Sequence, residues 1–140
     1  MVLGEKLWEG KAKSGASFIK KIDMEGVSSE FTYEAQLKGS GCAEGVDCML
    51  HVTAMSKQPP KGIGVATDQG VMMTMTGDMA VMKGYDLSKM MDGKPMAVGL
   101  WSFMTMSEKL GWMNDLIALV VFESMDPMWQ DVKVTIYEWD

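Results

Sequence analysis

The chain has 140 residues, 47% hydrophobic and 23% charged, a size and balance that fit one globular domain over 1–140 and exclude fibrous, disordered and two-domain classes. Its 13 cations, all lysine, stand against 19 acids for a net charge of −6. Without the planar arginine fork, and with an acidic field, nucleic acid and anionic membrane surfaces are not expected partners.

In chain order, the opening MVLGEKLWEG carries no secretory h-region, and the longest apolar runs are about a third of the ~20 residues of a membrane span. A cytoplasmic location is the expectation. Ala16, Phe18, Ile22 and Met24 share one parity and Ser17, Lys21 and Asp23 the other. Glu25-Gly26 is turn chemistry, and Val27, Phe31, Tyr33, Ala35 and Leu37 then alternate with Ser28, Glu30, Thr32, Glu34 and Gln36. Together these predict an antiparallel hairpin. Three glycines in 39–45 break the pattern. A third strand follows, with Val46, Cys48, Leu50, Val52 and Ala54 opposite Asp47, His51 and Thr53.

Gln58-Pro59-Pro60 must be a loop, because proline cannot donate to a central ladder. A short strand over 62–67 leads to Asp68-Gln69-Gly70, read as a three-residue turn. Val71 to Val81 is predicted as one strand, with Val71, Met73, Met75, Met79 and Val81 buried, Thr74 and Thr76 exposed, and Gly77 marking a bulge. The stretch 84–95 reads as a loop. Met96 to Met106 is apolar on both parities, which suits an interior strand or a subunit contact. Ser107 and Glu108 open a short helix near 107–114. Leu116–Glu123 and Asp131–Trp139 are further strands, separated by the Asp126-Pro127 turn.

The pattern is all-β: an antiparallel meander of about eight strands closing into a small barrel, with one short helix near 107–114. Closure is preferred because an open meander of this length would leave two long apolar edges.

Four stretches, LGEK at the start, KGIGVATDQG, SFMTMSEKLGWMN and VFES followed by VTIYEW, resemble a family of uncharacterised archaeal and bacterial proteins of about this length. In that family a GxG strand precedes a DG-type turn, an aromatic–x–T–x–S strand end leads into a KL…LN helix, and the chain closes on YEW or WEW. Here these fall on Gly62 and Gly64, Asp68 to Gly70, Phe103, Thr105 and Ser107, Lys109, Leu110 and Asn114, and Tyr137 to Trp139. The family's second GxG is reduced to Gly84. The resemblance implies a small barrel similar to lipocalin-like or allene oxide cyclase-like folds, with no activity and no catalytic residue attached.

The residues that could carry chemistry are few. His51, the only histidine, falls on the polar face of its strand, where it reads as a solvated imidazole. Cys42 and Cys48 show no metal-ligand spacing and read as free thiols. Gly62 and Gly64 lack the third glycine of a nucleotide fingerprint. Glu123 and Glu138 are the carboxylates that burial could turn into acid–base groups, although a rim position suits them better. No catalytic residue, cofactor or metal is therefore assigned.

The methionine row Met73, Met75 and Met79, with Trp101 and Phe103, supplies candidate lining for a cavity. Unbranched thioethers repack around apolar ligands of different shape. The leading reading is thus a non-enzymatic barrel that binds a small apolar ligand. An isomerase or cyclase-type enzyme acting in the lumen is the alternative, and an open lumen with a buried carboxylate would favour it. A third reading is an oligomeric structural or interaction protein. The two-sided strand Met96–Met106 predicts a homo-oligomer, a dimer or alternatively a trimer.

Overall fold

The computed structural model describes residues 3–140. Eight antiparallel strands, β1 (Leu3–Asp23), β2 (Gly26–Gly39), β3 (Cys48–Gln58), β4 (Gly64–Thr74), β5 (Met79–Met91), β6 (Lys94–Met104), β7 (Ile117–Ser124) and β8 (Val132–Trp139), follow one another and close into a barrel when β8 pairs with β1. Every strand has two neighbours around the barrel wall, while β1 beyond Ala12 pairs with β2 alone, so the hairpin that projects past β8 keeps one free edge.

Alternation decides the facing of most strands. In β2, Tyr33, Ala35 and Leu37 point inward opposite Val52, Leu50 and Cys48 of β3, and in β8 Val132, Val134 and Ile136 are buried. The expected hairpin 16–38 forms, although β1 starts much earlier, at Leu3. Its parity is also mixed, because register shifts between Ser14 and Ser17 and between Ile19 and Lys21 turn Phe18 outward and Ile22 toward the lumen.

Four readings of the middle of the chain are corrected. Val71–Val81 is two strands: β4 ends at Thr74, and the chain reverses through Gly77 at φ 88°, with the Thr74 N–H donating to the Asp78 carbonyl at 2.8 Å. Met73 pairs with Met79 and Met72 with Ala80. The paired positions differ by an even number, so the hairpin keeps the period-2 pattern of a continuous strand. The facing is reversed as well: Met75 is 83% exposed, whereas Thr74 is 8% exposed and Met72 fully buried. Finally, Asp68-Gln69-Gly70 lies inside β4, and the stretch 84–95 consists of the end of β5, the tight turn at Asp92-Gly93 and the start of β6.

The ends of the barrel differ. At one end a 3-10 turn, Gly111–Asp115, stands where the short helix was expected; Ser107 Oγ accepts from the Leu110 N–H at 3.4 Å. Leu110, Met113 and Leu116 plug the lumen here. Trp112 stacks on Trp8 with ring centroids 5.8 Å apart, and Trp8 Nε1 donates to the Val46 carbonyl at 2.9 Å. At the other end the inward residues are small or polar, among them Ser29, Ser56, Ala66 and Ser88. They are only half-buried, so this mouth is open to solvent. The longer β1–β2 hairpin forms its lip, with Phe18, Ile19, Ile22 and Met24 exposed.

Candidate functional site

Below the mouth the lumen contains two carboxyl groups. Asp68 lies on β4 opposite Ala54 and Gly84, and Asp86 on β5 opposite Ala66 and Gly99. They are 4% and 7% exposed. Both occupy even positions of strands whose other inward residues are small or apolar, so alternation itself carries the two acids into the interior. The neighbouring glycines make room for them. A Cβ on Gly99 would collide with the Asp86 carboxyl, and one on Gly84 with the Trp101 indole.

Hydrogen bonds hold the pair in place. Trp101 Nε1 donates to Asp86 Oδ1 at 3.1 Å, and the Tyr33 hydroxyl donates to Asp68 Oδ2 at 3.3 Å. Tyr33 meets Phe122 edge to face, with centroids 5.8 Å apart, and stacks on Phe31. Phe122 in turn packs against Trp101. An aromatic wall thus runs along one side of the acids. Among the described residues Asp68 Oδ1 is the single buried side-chain oxygen or nitrogen with no partner.

The electrostatics follow from that environment. Burial above all, then the adjoining Asp86 carboxyl as an acceptor and a like charge, pushes the Asp68 pKa up to about 9. Asp68 therefore carries a proton at neutral pH, and a protonated carboxyl has a donor to offer a neighbouring acceptor. Burial first, and the charges of Asp68 and Asp86 after it, raises the Tyr33 hydroxyl well above its ordinary value, so Tyr33 remains a donor. The site combines a protonated acid, a second carboxyl group and a phenol donor in a low-dielectric cup. These are the elements of general acid–base chemistry.

The residues singled out from sequence are dispersed. Met73, Met75 and Met79 stand on the outer surface, exposed. Trp101 belongs to the site through its bond to Asp86. Phe103 lies deeper, packed on Trp8 toward the plugged end. Among the described methionines, eleven are exposed and three, Met72, Met82 and Met113, are fully buried, so the methionine richness belongs to the outside of the barrel.

His51 is exposed, its Nδ1 3.5 Å from Glu34, and Glu123 is exposed on β7. Burial pushes the Cys48 thiol up to about 12, which makes it inert. Cys42, Glu5 and Glu138 bring three potential ligand atoms within 4.8 Å of one another. Of these, Cys42 and Glu5 are exposed, and the Cys42 N–H already donates to Glu5 Oε1 at 3.0 Å.

Sequence reasoning missed Asp68 and Asp86 because Asp two residues from Gly is also the chemistry of turns. The signal that would have found them is their shared parity with Gly64, Ala66, Gly70 and Met72 in one strand, and with Ala80, Met82 and Gly84 in the other. Two surface depressions, of about 780 and about 250 Å³, lie across β1–β5 and include neither acid.

No protein-family model matches the chain, and neither does any curated protein. Solved structures do share its fold. A protein of unknown function from Clostridium acetobutylicum superposes with a TM-score of 0.80 at 12% identity, covering 96% of each chain. A β-barrel-like protein from Acinetobacter baumannii also gives 0.80 at 12%, covering 98% of this chain and 94% of that one. An enzyme from Penicillium herquei gives 0.69 at 17%, covering 96% and 92%. At such identities the likeness shows the barrel and nothing of the site. Among the described residues no helix is long and apolar enough to cross a membrane.

Proposed function

We propose that the lumen takes up a compact, largely apolar carbonyl compound and that the Asp68–Asp86 pair moves a proton on it, an isomerase-type activity. The observation that carries this reading is the acid pair itself. Two carboxyl groups held together in an apolar barrel, one with an unpartnered oxygen, are costly to bury, and such costs concentrate where chemistry is done. In the proposed reaction the Asp86 carboxylate takes the proton from the carbon α to the carbonyl. The C–H pair becomes the enolate double bond, while protonated Asp68 and the Tyr33 hydroxyl donate to the developing oxyanion. With a β,γ-unsaturated carbonyl compound the intermediate is a dienolate, and return of the proton to its γ carbon, with the double bond moving to α,β, completes an isomerisation. The Penicillium herquei neighbour is an enzyme on the same barrel, which is compatible with catalysis at this mouth.

Exchange of α-hydrogens into cyclohexanone in D2O, followed by NMR, is the test. Wild-type protein should accelerate exchange over buffer, and Asp86→Asn should lower that rate by about 100-fold or more. Binding of cyclohexanone with no exchange would refute catalysis. It would favour a second reading, a ligand-binding barrel without turnover, which the aromatic wall Phe31–Tyr33–Phe122 supports.

A further inference from the structure

The outside of the barrel is divided. Across β1, β2 and β3 it presents charged and polar groups such as Lys11, Lys13, Glu34, Lys38 and His51. Across β4 to β7 it is apolar. Register places Val71, Val81 and Met104 side by side on one rung and Tyr85, Leu100 and Leu119 on another, and Leu87 beside Val98 continues the face toward the mouth. Most of these side chains are exposed. Lys83 is the charge on the rung between, and Lys89 and Glu123 flank Met96 where the face nears the mouth.

We propose that this β4–β7 face is the twofold interface of a homodimer. Its exposed apolar side chains adjoin one another across four strands, and a contiguous apolar face of that kind marks an interaction surface rather than the singly scattered apolar residues of a monomer. Charge selects a second copy as the occupant. The chain carries −6, so two copies repel through most of their surface. The outward positions of β4, β5 and β6, however, contain no carboxylate, since Asp68 and Asp86 face inward, and β7 adds only Glu123 at its mouth end. This is the surface on which two copies approach with least repulsion.

Geometry agrees. Strands β4 to β7 are each paired on both sides, so association through this part of the wall must be face to face, and pliable methionines such as Met73, Met79 and Met104 let one patch fit its own image. A bilayer is the poorer occupant. A membrane barrel is apolar around its whole girth and polar within, whereas this one is apolar on half its girth and packed with Leu50, Met72, Val120 and Ile136 inside.

Sedimentation velocity at tens of micromolar, with urea unfolding as the check on folding, tests the interface. Wild type should run at twice 15.4 kDa. The double variant Val81→Glu/Leu100→Glu should run as a folded monomer, and Phe18→Glu/Ile19→Glu, on the mouth's lip, should remain a dimer. Should the first variant not fold, Met104→Lys, at the exposed end of β6, takes its place and should weaken dimerisation at least tenfold. A monomeric wild type, including one that floats with phosphatidylcholine vesicles, would overturn the proposal. So would a trimeric mass, a face variant that stays dimeric, or a lip variant that becomes monomeric.

Discussion

Replacing Asp68 by Asn should stabilise the protein at neutral pH by about 2–4 kcal/mol, and the gain should grow as pH rises. The sign follows from the proton count. Asp68 titrates at about 9 in the fold and near 3.9 in the unfolded chain, so between those values the native state holds a proton that the unfolded state has released. Its favourable contribution is therefore complete below the unfolded value and is lost as pH rises toward the folded one. The limiting slope is about 1.4 kcal/mol per pH unit. Asparagine fills the same space, keeps an acceptor for Tyr33 and a donor for Asp86, and requires no proton. Urea unfolding of both proteins at pH 5, 7 and 8.5 is the measurement. Two curves that stay parallel across that range would mean that Asp68 ionises as an ordinary carboxyl.

The same substitution separates stability from function. If the acid pair does chemistry, Asp68→Asn should be the sturdier and the poorer catalyst, the pattern expected where a strained site is retained for its activity. A merely structural pair would show the first effect and leave cyclohexanone exchange unchanged. The Tyr33 and Trp101 donors hold the two carboxyls by different oxygens on different strands. Each can therefore be removed alone, and Tyr33→Phe should weaken polarisation of the bound carbonyl while the Asp86 base stays anchored.

Much of the barrel is legible in the chain because its walls are half-buried strands. In β2 and β8 polar residues mark the outer face, so the two parities separate and the inward set Tyr33, Ala35 and Leu37, or Val132, Val134 and Ile136, can be read directly. In β4 to β6 that contrast fails. Where the outside is also apolar, as at Met73, Val81, Leu100 and Met104, hydrophobicity no longer tells inside from out. The inner face there contains Asp68, Gly70, Gly84, Asp86 and Gly99, residues whose local chemistry imitates loops. Gly70 is glycine because a Cβ would collide with the His51 carbonyl, and Gly99 because the Asp86 carboxyl takes the space. Both reasons are tertiary, so neither can be seen from the neighbours in sequence. One site and one surface were thus hidden by a single cause, since an acidic lumen and a greasy exterior invert the usual pattern over the same three strands.

That inversion gives a direct mutational contrast in β4. Met72→Ala should cost about 2–5 kcal/mol, and Met75→Ala less than about 0.5 kcal/mol. Met72 is fully buried between Leu50 of β3 and Ala80 of β5. Truncation there removes the transfer energy of its side chain and leaves a cavity that closed walls on either side cannot collapse to fill. Met75 stands in the β4–β5 turn at 83% exposure; its structural contribution is the backbone N–H that donates to the Asp47 carbonyl at 3.2 Å, which alanine retains. Thr74 separates the two faces further. Its hydroxyl accepts from the Asp78 N–H at 3.0 Å, so Thr74→Val, similar in shape, should cost about 1 kcal/mol by orphaning that donor at the turn. Urea unfolding of the three variants measures the facing of the strand, and a Met75→Ala loss equal to that of Met72→Ala would place the methionine row back inside the barrel.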